Sequence, residues 1–385
     1  MDGDKNLSFT CITDHRSLRD ICRGWDASWP VALDTEFIRT NTFFPKAGLF
    51  QIANPARVYL IDPLAIDEWD DFRSLISGRH GCVIMHSCSE DLNLLRHFLD
   101  CLPYKLFDTQ RAAAYLGYGL SVSYQALLAA ELDITIGKGE TRSDWLARPL
   151  SSSQLEYAAL DVVYLHALCD KLTEKLKERG RLEWFEQDCS QFLVTAEQDD
   201  DEQNWERYYR NIGGAWRLGA EELLVLQKLC YWREKTARER DRPRSWIVND
   251  TDLLSLCVSI MRTPLSIETI SRTTSMKSPY LDRDGESLIA FLGSGFQPVK
   301  PAVPDEFSKP LSPRERKLLK RGQQIVASLA SAMGIAPELL ARKRHLLELI
   351  ERNSMGQQDP WPDEITGWRK QLLEPLLAEI LVNDE

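Results

Sequence analysis

No stretch of this chain reaches the roughly 18 consecutive apolar residues that a membrane-spanning helix needs. The first residues, Met1-Asp2-Gly3-Asp4-Lys5, carry no apolar core behind a basic start, so no secretory signal is expected. No CxxC pair occurs. The nine cysteines are scattered singly, which argues against a zinc site or a disulfide framework and fits a reducing cytoplasm. The chain lacks a G-x-x-x-x-G-K-[ST] loop, which disfavours a helicase. Its six histidines are dispersed, and no Ser-His-Asp set stands out. Positive charge is also short. Lys and Arg number 47 against 58 Asp and Glu, a formal charge of -11. That balance speaks against coating nucleic acid by bulk attraction.

The 385 residues, 43% hydrophobic and 27% charged, read as a soluble globular chain of two or three domains. Up to about residue 195, short apolar runs alternate with amphipathic segments. Strands are expected at 7–12, 31–37, 49–53, 58–61, 82–86 and 106–108. Helices are expected at 14–23, 67–76, 87–99, 109–116 and 124–131, with one long helix over 153–179. Strands mixed with helices, with helices closing the domain, make an α/β domain around a mixed sheet. The acidic stretch Glu197, Asp199, Asp200, Asp201, Glu202 reads as a hinge, and beyond it the pattern is helical. Pro298, Pro301, Pro304 and Pro310 mark a second linker before another helical unit. The expected domains are 1–195, 208–295 and 310–385.

Asp34 and Glu36 end the apolar run Val31-Ala-Leu33. Two residues apart on a strand, their carboxylates share one face. Like charges side by side in an apolar setting resist desolvation, and a divalent cation between them relieves that cost. Asp91 opens a helix whose Leu94, Leu95 and Phe98 share its side, so this acid sits on an apolar face and needs a partner. Tyr157 and Asp161, four apart, lie on one helix face beside the small Ala158. Four acids from three elements make a two-metal cage for phosphodiester hydrolysis, and all-oxygen ligands suit Mg²⁺ or Mn²⁺.

Asp34-x-Glu36, then Asp91, then Tyr157-x-x-x-Asp161 resembles the three motifs of the DEDD superfamily of 3′–5′ exonucleases, in its tyrosine-bearing subclass. Within it the chain is similar to the bacterial ribonuclease D family. The matching pieces are Leu33-Asp-Thr-Glu-Phe37, Leu49-Phe-Gln-Ile-Ala53, His86-Ser-Cys-Ser-Glu-Asp91, Phe107-Asp-Thr-Gln110 and Trp145-Leu-x-Arg148-Pro-Leu, running on to Tyr157 and Asp161. Trp216-Arg, Leu226 to Arg238, Asp241-x-Pro243-Arg and Asp250-x-x-Leu253 resemble an HRDC domain, and the region from about 311 resembles a second, divergent copy.

The resemblance implies a ribonuclease H-like exonuclease domain followed by two all-helical HRDC-type domains. It implies a 3′–5′ exoribonuclease that releases nucleoside 5′-monophosphates and trims tRNA precursors. Asp34, Glu36, Asp91 and Asp161 would bind two divalent metals, and Tyr157 would orient the attacking water. Phe37 and Gln51 would touch the 3′-terminal nucleotide. Asp108 would support the site from behind, or simply cap the helix starting at Thr109. Of the basic cluster Arg233, Lys235, Arg238, Arg240, Arg242 and Arg244, the residues Arg233, Arg238 and Arg242 are expected at RNA phosphates. Arg342-Lys-Arg344 is a second basic candidate. The expected protein is a cytoplasmic monomer that binds RNA and no membrane. Two other readings stay open at this point: a 3′–5′ DNA exonuclease, and a non-catalytic nucleic-acid scaffold.

Overall fold

Val31, Ala32 and Leu33 have short or branched apolar side chains that fit a pleated surface covered on both faces. All three are buried at the middle of a six-stranded sheet. The computed structural model describes residues 7–79, 81–137, 143–198, 201–276, 278–299, 301 and 311–382. Its strands are β1 (Phe9–Ile12), β2 (Val31–Ile38), β3 (Lys46–Ala53), β4 (Val58–Ile61), β5 (Cys82–Met85) and β6 (Lys105–Asp108), in the order β1-β4-β3-β2-β5-β6. Strand β3 runs antiparallel to β2 and β4, and the remaining neighbours are parallel. The mixed α/β architecture expected from the sequence is present. Among the expected linker residues, Asp199, Asp200, Pro304 and Pro310 lie outside the described residues, as does His80.

The helices between and after the strands are α1 (His15–Arg23), α2 (Asp70–Ser77), α3 (Ser89–Leu99), α4 (Thr109–Tyr115), α5 (Tyr124–Leu132), α6 (Ser152–Val163), α7 (Leu165–Glu178) and α8 (Leu182–Gln198). Asp14 caps α1 through Ser17 N at 2.9 Å, as its position before the apolar pattern predicts. The single helix expected over 153–179 is two helices, broken at Tyr164. Apolar spacing runs unbroken through this point, so periodicity does not mark it. The break lets α6 lie against β2, β3 and β4 while α7 turns onto β5, α4 and α5. His166, just past it, is pinned to the Ala53 carbonyl at 3.0 Å.

By contacts the chain divides into two units. One holds the described residues up to Ile38, Lys46–Thr195, and those from Leu311 on. By contacts, the segment expected as a third domain groups with the unit that holds the sheet. Its helices are α15 (Pro313–Met333), α16 (Pro337–Leu340), α17 (Lys343–Ser354) and α18 (Gly367–Val382). Arg369 of α18 donates to Asp188 of α8 at 2.5 Å, and Asp188 also accepts from the buried Tyr115 hydroxyl of α4. Trp184 stacks on Trp368 with ring centroids 4.6 Å apart.

The other unit holds Arg39–Pro45 and Ala196–Pro310. Its helices are α9 (Glu202–Trp205), α10 (Ala220–Glu239), α11 (Arg244–Ile247), α12 (Asp250–Ile260), α13 (Ile267–Thr273) and α14 (Ser278–Gly293). Leu223, Leu226, Leu229 and Trp232 of α10 line the core together with Leu253, Leu256 and Ile270. Phe43, from the short segment between β2 and β3, joins that core. Asp241 takes the left-handed conformation (φ 49°) and accepts from the N–H groups of Phe43 and Phe44, each at 2.9 Å. Asn249 caps α12 through Asp252 N at 2.9 Å.

Candidate active site

Strand alternation puts Asp34 and Glu36 on one face of β2, and α6 brings Asp161 to the same place. One carboxylate oxygen from each of the three lies within 4.8 Å of the others. Asp91 is not part of that trio. It enters from α3, is buried, and accepts a hydrogen bond from Thr35, whose side chain leaves β2 between the two acids. Its charge still reaches the site: among the neighbouring charges, Asp91 raises Asp34 most, ahead of Asp161 and Glu36. Of the helix face expected to carry Asp91, Leu94 and Leu95 are fully buried, whereas Phe98 is 36% exposed.

Burial is the main force on all four acids, followed for Asp34 and Glu36 by mutual repulsion. Asp34 is pushed well above the ordinary carboxylate range, and Glu36 rises to about 8. Burial lifts Asp161 to about 7, opposed by a hydrogen bond from Tyr157. Burial lifts Asp91 to about 6, opposed by the bond from Thr35. Burial and the adjacent carboxylates raise the Tyr157 phenol as well, so it stays protonated. A cation among these crowded carboxylates would hold them ionised. A hard divalent ion such as Mg²⁺ or Mn²⁺ fits this all-oxygen set.

The segment Trp145–Arg148 braces the tyrosine. Trp145 packs on Tyr157 with ring centroids 6.2 Å apart and backs directly onto Gly48. The β2–β3 register slips between Glu36 and Phe37, leaving Gly48 without a partner as a β-bulge. A Cβ at Gly48 would stand 2.7 Å from both Trp145 Cβ and Trp145 O, so glycine is required there. Arg148 closes the arrangement with two 2.6 Å bonds to Asp62 and one of 2.7 Å to the Gly48 carbonyl.

Asp108 caps α4, one of the two alternatives left open by the sequence. Its Oδ1 caps α4 by accepting from Gln110 N at 2.8 Å and Arg111 N at 3.1 Å. It also accepts from Ser87 N and Cys88 N, each at 3.2 Å. Ser87 has φ 62°, so Asp108 holds the strained turn from which α3 and Asp91 start.

The residues expected at substrate separate. Phe37 is half-buried at the end of β2. Gln51 is 0% exposed and faces no open surface, which removes it from direct contact with a nucleotide. Arg233 is buried and donates to Asp250 at 2.6 Å and to the Val248 carbonyl at 3.1 Å. Arg238 is bound to the buried Glu234 at 2.8 Å, and its guanidinium lies 4.5 Å from the Trp205 ring and 4.8 Å from that of Phe43. Glu234 also pairs with Arg244, and Arg240 pairs with the buried Asp284. Arg233 is thus buried, and the buried Glu234 and Asp284 hold Arg238 and Arg240 largely out of solvent, whereas Arg244 keeps 41% of its side chain exposed. Arg242 and Lys235 stay exposed, although Arg242 donates to the Asn41 carbonyl. Arg344 pairs with Glu364.

Sequence reasoning assigned no role to Thr35, Gly48, Trp145, Arg148 or Asp62. Thr35 was detectable as the odd position between two acids on a strand. The Gly48–Trp145 approach leaves no local signal, because it joins residues about a hundred positions apart.

Residues 9–177 match the family model of 3′–5′ exonucleases, residues 222–292 that of the HRDC domain, and residues 313–377 that of the C-terminal HRDC domain of ribonuclease D. The chain is 36% identical to ribonuclease D of Pseudomonas paraeruginosa over 370 residues, 96% of each chain. It is 34% identical to ribonuclease D of Haemophilus influenzae over 372 residues, 96% of this chain and 92% of that one. Among solved structures it is similar to Escherichia coli RNase D, described as an exoribonuclease involved in structured RNA processing. The TM-score is 0.85 at 29% identity, covering 97% of this chain and 98% of the other.

Proposed function

This chain belongs to the ribonuclease D family and is a 3′–5′ exoribonuclease; on that premise we propose that it shortens RNA by a two-metal hydrolysis, releases nucleoside 5′-monophosphates and trims tRNA precursors. The observation that carries this reading is the convergence of Asp34, Glu36 and Asp161 within 4.8 Å, with Asp91 beside them. The trio would hold one divalent cation, and Asp91 with Asp34 the second. Bound there, the ions supply charge neutralisation for the phosphodiester and a lowered pKa for the attacking water.

The chain's own groups do the positioning. Tyr157 keeps its proton, so it acts as a hydrogen-bond donor that orients the water or a phosphate oxygen and not as a base. Its bond to Asp161 fixes the phenol near the trio, and Trp145 shields it from behind. Thr35 keeps one oxygen of Asp91 occupied and thereby sets the direction of the other. Asp108 acts through the turn at Ser87. Phe37 flanks the 3′-terminal nucleotide, and the exposed Arg242 meets phosphate. Structured RNA is recognised mainly by shape and backbone, so a modest basic surface suffices when the metal site grips the end.

No described helix is long and apolar enough to cross a membrane. All nine cysteines are unpaired, which suits a reducing cytoplasm. We take the working state to be a monomer.

The test is digestion of a tRNA carrying a 3′ extension with Mg²⁺ or Mn²⁺, following the released nucleotides by chromatography. The parent should yield 5′-monophosphates one at a time, and single-stranded DNA should be degraded more slowly. Asp34→Asn should lose activity by several orders of magnitude. An Asp34→Asn protein as fast as the parent would sink the assignment.

A further inference from the structure

Gln51 is fully buried, yet neither its Oε1 nor its Nε2 has a hydrogen-bond partner among the described residues. A side-chain amide carries an acceptor and two N–H donors, and enclosing them unpaired is unfavourable. Its surroundings follow from the ladder. Gln51 of β3 stands directly opposite Asp34 of β2 in an antiparallel pair. Opposed residues share a face, with Cβ atoms about 4.5–5.5 Å apart. That face is the one α6 covers, since Asp161 of α6 reaches Asp34 and Glu36 there. On its other side Gln51 faces Leu60 of β4, apolar and buried. Across the ladder the polar neighbour of the amide is therefore the Asp34 carboxylate.

We propose that Gln51 is a positioning residue for Asp34: when Asp34 holds a divalent cation through one oxygen, Gln51 Nε2 donates to the other and fixes the rotation of the carboxylate. The inference rests on the metal-site reading above. In the ion-free arrangement the amide has nothing to bind. Loading the site would leave Asp34 ionised, with an oxygen that needs a donor, and Gln51 stands opposite it on the ladder. Ligating carboxylates are regularly held in this way, and losing the holding group costs about 10- to 100-fold in metal affinity. The sequence resemblance places Gln51 at the terminal nucleotide. Its complete burial moves it instead to the support of the metal ligand.

Gln51→Met keeps the length and volume of the side chain and removes the amide. The test uses the full chain stripped of metal and titrated with Mn²⁺ alone by calorimetry, with melting curves recorded in parallel. The variant should bind Mn²⁺ about tenfold or more weakly than the parent. Stripped of metal, it should melt no lower than the parent, because an unpaired buried amide is gone. The rise in Tm on adding Mn²⁺ should shrink. If Gln51→Met binds Mn²⁺ within about twofold of the parent while Asp34→Asn abolishes binding, the inference is overturned and the metal site stands. If Asp34→Asn also binds as the parent does, the metal-site reading fails and this inference falls with it.

Discussion

Thr35 points away from the two acids that flank it on β2, and its hydroxyl reaches Asp91. Thr35→Val keeps the shape and removes that donor. With one oxygen of Asp91 released, kcat should fall about 10- to 100-fold, the usual loss when a ligand's supporting bond is removed. KM for RNA should change little, because no substrate contact is lost. Steady-state rates on a labelled oligoribonucleotide check this, and an unchanged kcat would remove Thr35 from the mechanism. The acids themselves set a pH dependence. Their ordinary value in an unfolded chain is about 4, and in the fold burial raises Glu36 to about 8 and Asp161 to about 7. Between those limits the folded, metal-free protein binds more protons than the unfolded chain, so its stability falls as pH rises. The Tm of stripped protein should thus be higher at about pH 6 than at about pH 8.5, and millimolar Mn²⁺ should narrow the gap by holding the acids ionised. A stripped protein whose Tm rises over that interval would contradict the proposed crowding. At this scale the sequence showed which residues carry charge but not which way they face. Arg233 and Arg238 read as a basic patch until Asp250 and Glu234 are seen to hold them.

The bulge at Gly48 joins a strand to the loop that carries Trp145. Gly48→Ala would drive a methyl into Trp145, and overpacking of this kind costs about 2 kcal/mol. The displaced Trp145 should move Tyr157, so activity should drop together with the urea midpoint. A variant with the parent's midpoint and rate would mean that Trp145 yields freely. The other elements near the site were legible to different degrees. Strand β2 and the start of α3 follow from local pattern, since apolar runs and the acids that end them are contiguous. The break at Tyr164 was not legible. No glycine or proline marks it, although Val162, Val163 and Tyr164 are weak helix formers, and the turn is dictated by two separate surfaces, the β2–β4 face for α6 and β5 with its neighbouring helices for α7.

In the unit that holds the sheet, α18 is fastened by a buried charge network. Arg369 binds Asp188, which also takes the Tyr115 hydroxyl. Arg369→Met would leave Asp188 buried without its cation, which costs about 3 kcal/mol. Urea unfolding should show that loss, and an unchanged midpoint would mean that the 311–382 helices add nothing to this unit. Gly322, in the middle of α15, tests the opposite direction. An added Cβ meets Leu346 at 3.6 Å and Leu377 at 3.9 Å, ordinary contact distances. Gly322→Ala should therefore stabilise by about 1 kcal/mol. The amino-acid sequence by itself determined the chemistry: a strand-borne Asp34 and Glu36, a helix-borne Asp91, and Tyr157 with Asp161 one turn apart. Spacing along a regular element is local geometry, and the order of the motifs carries the family. Tertiary structure alone decided that three of the acids meet while Asp91 stands on Thr35. It also decided that Gln51 is sealed beneath α6, and that buried Glu234 and Asp284 draw Arg238 and Arg240 inward. Burial and pairing depend on which distant segments pack together, and no spacing within one segment encodes that.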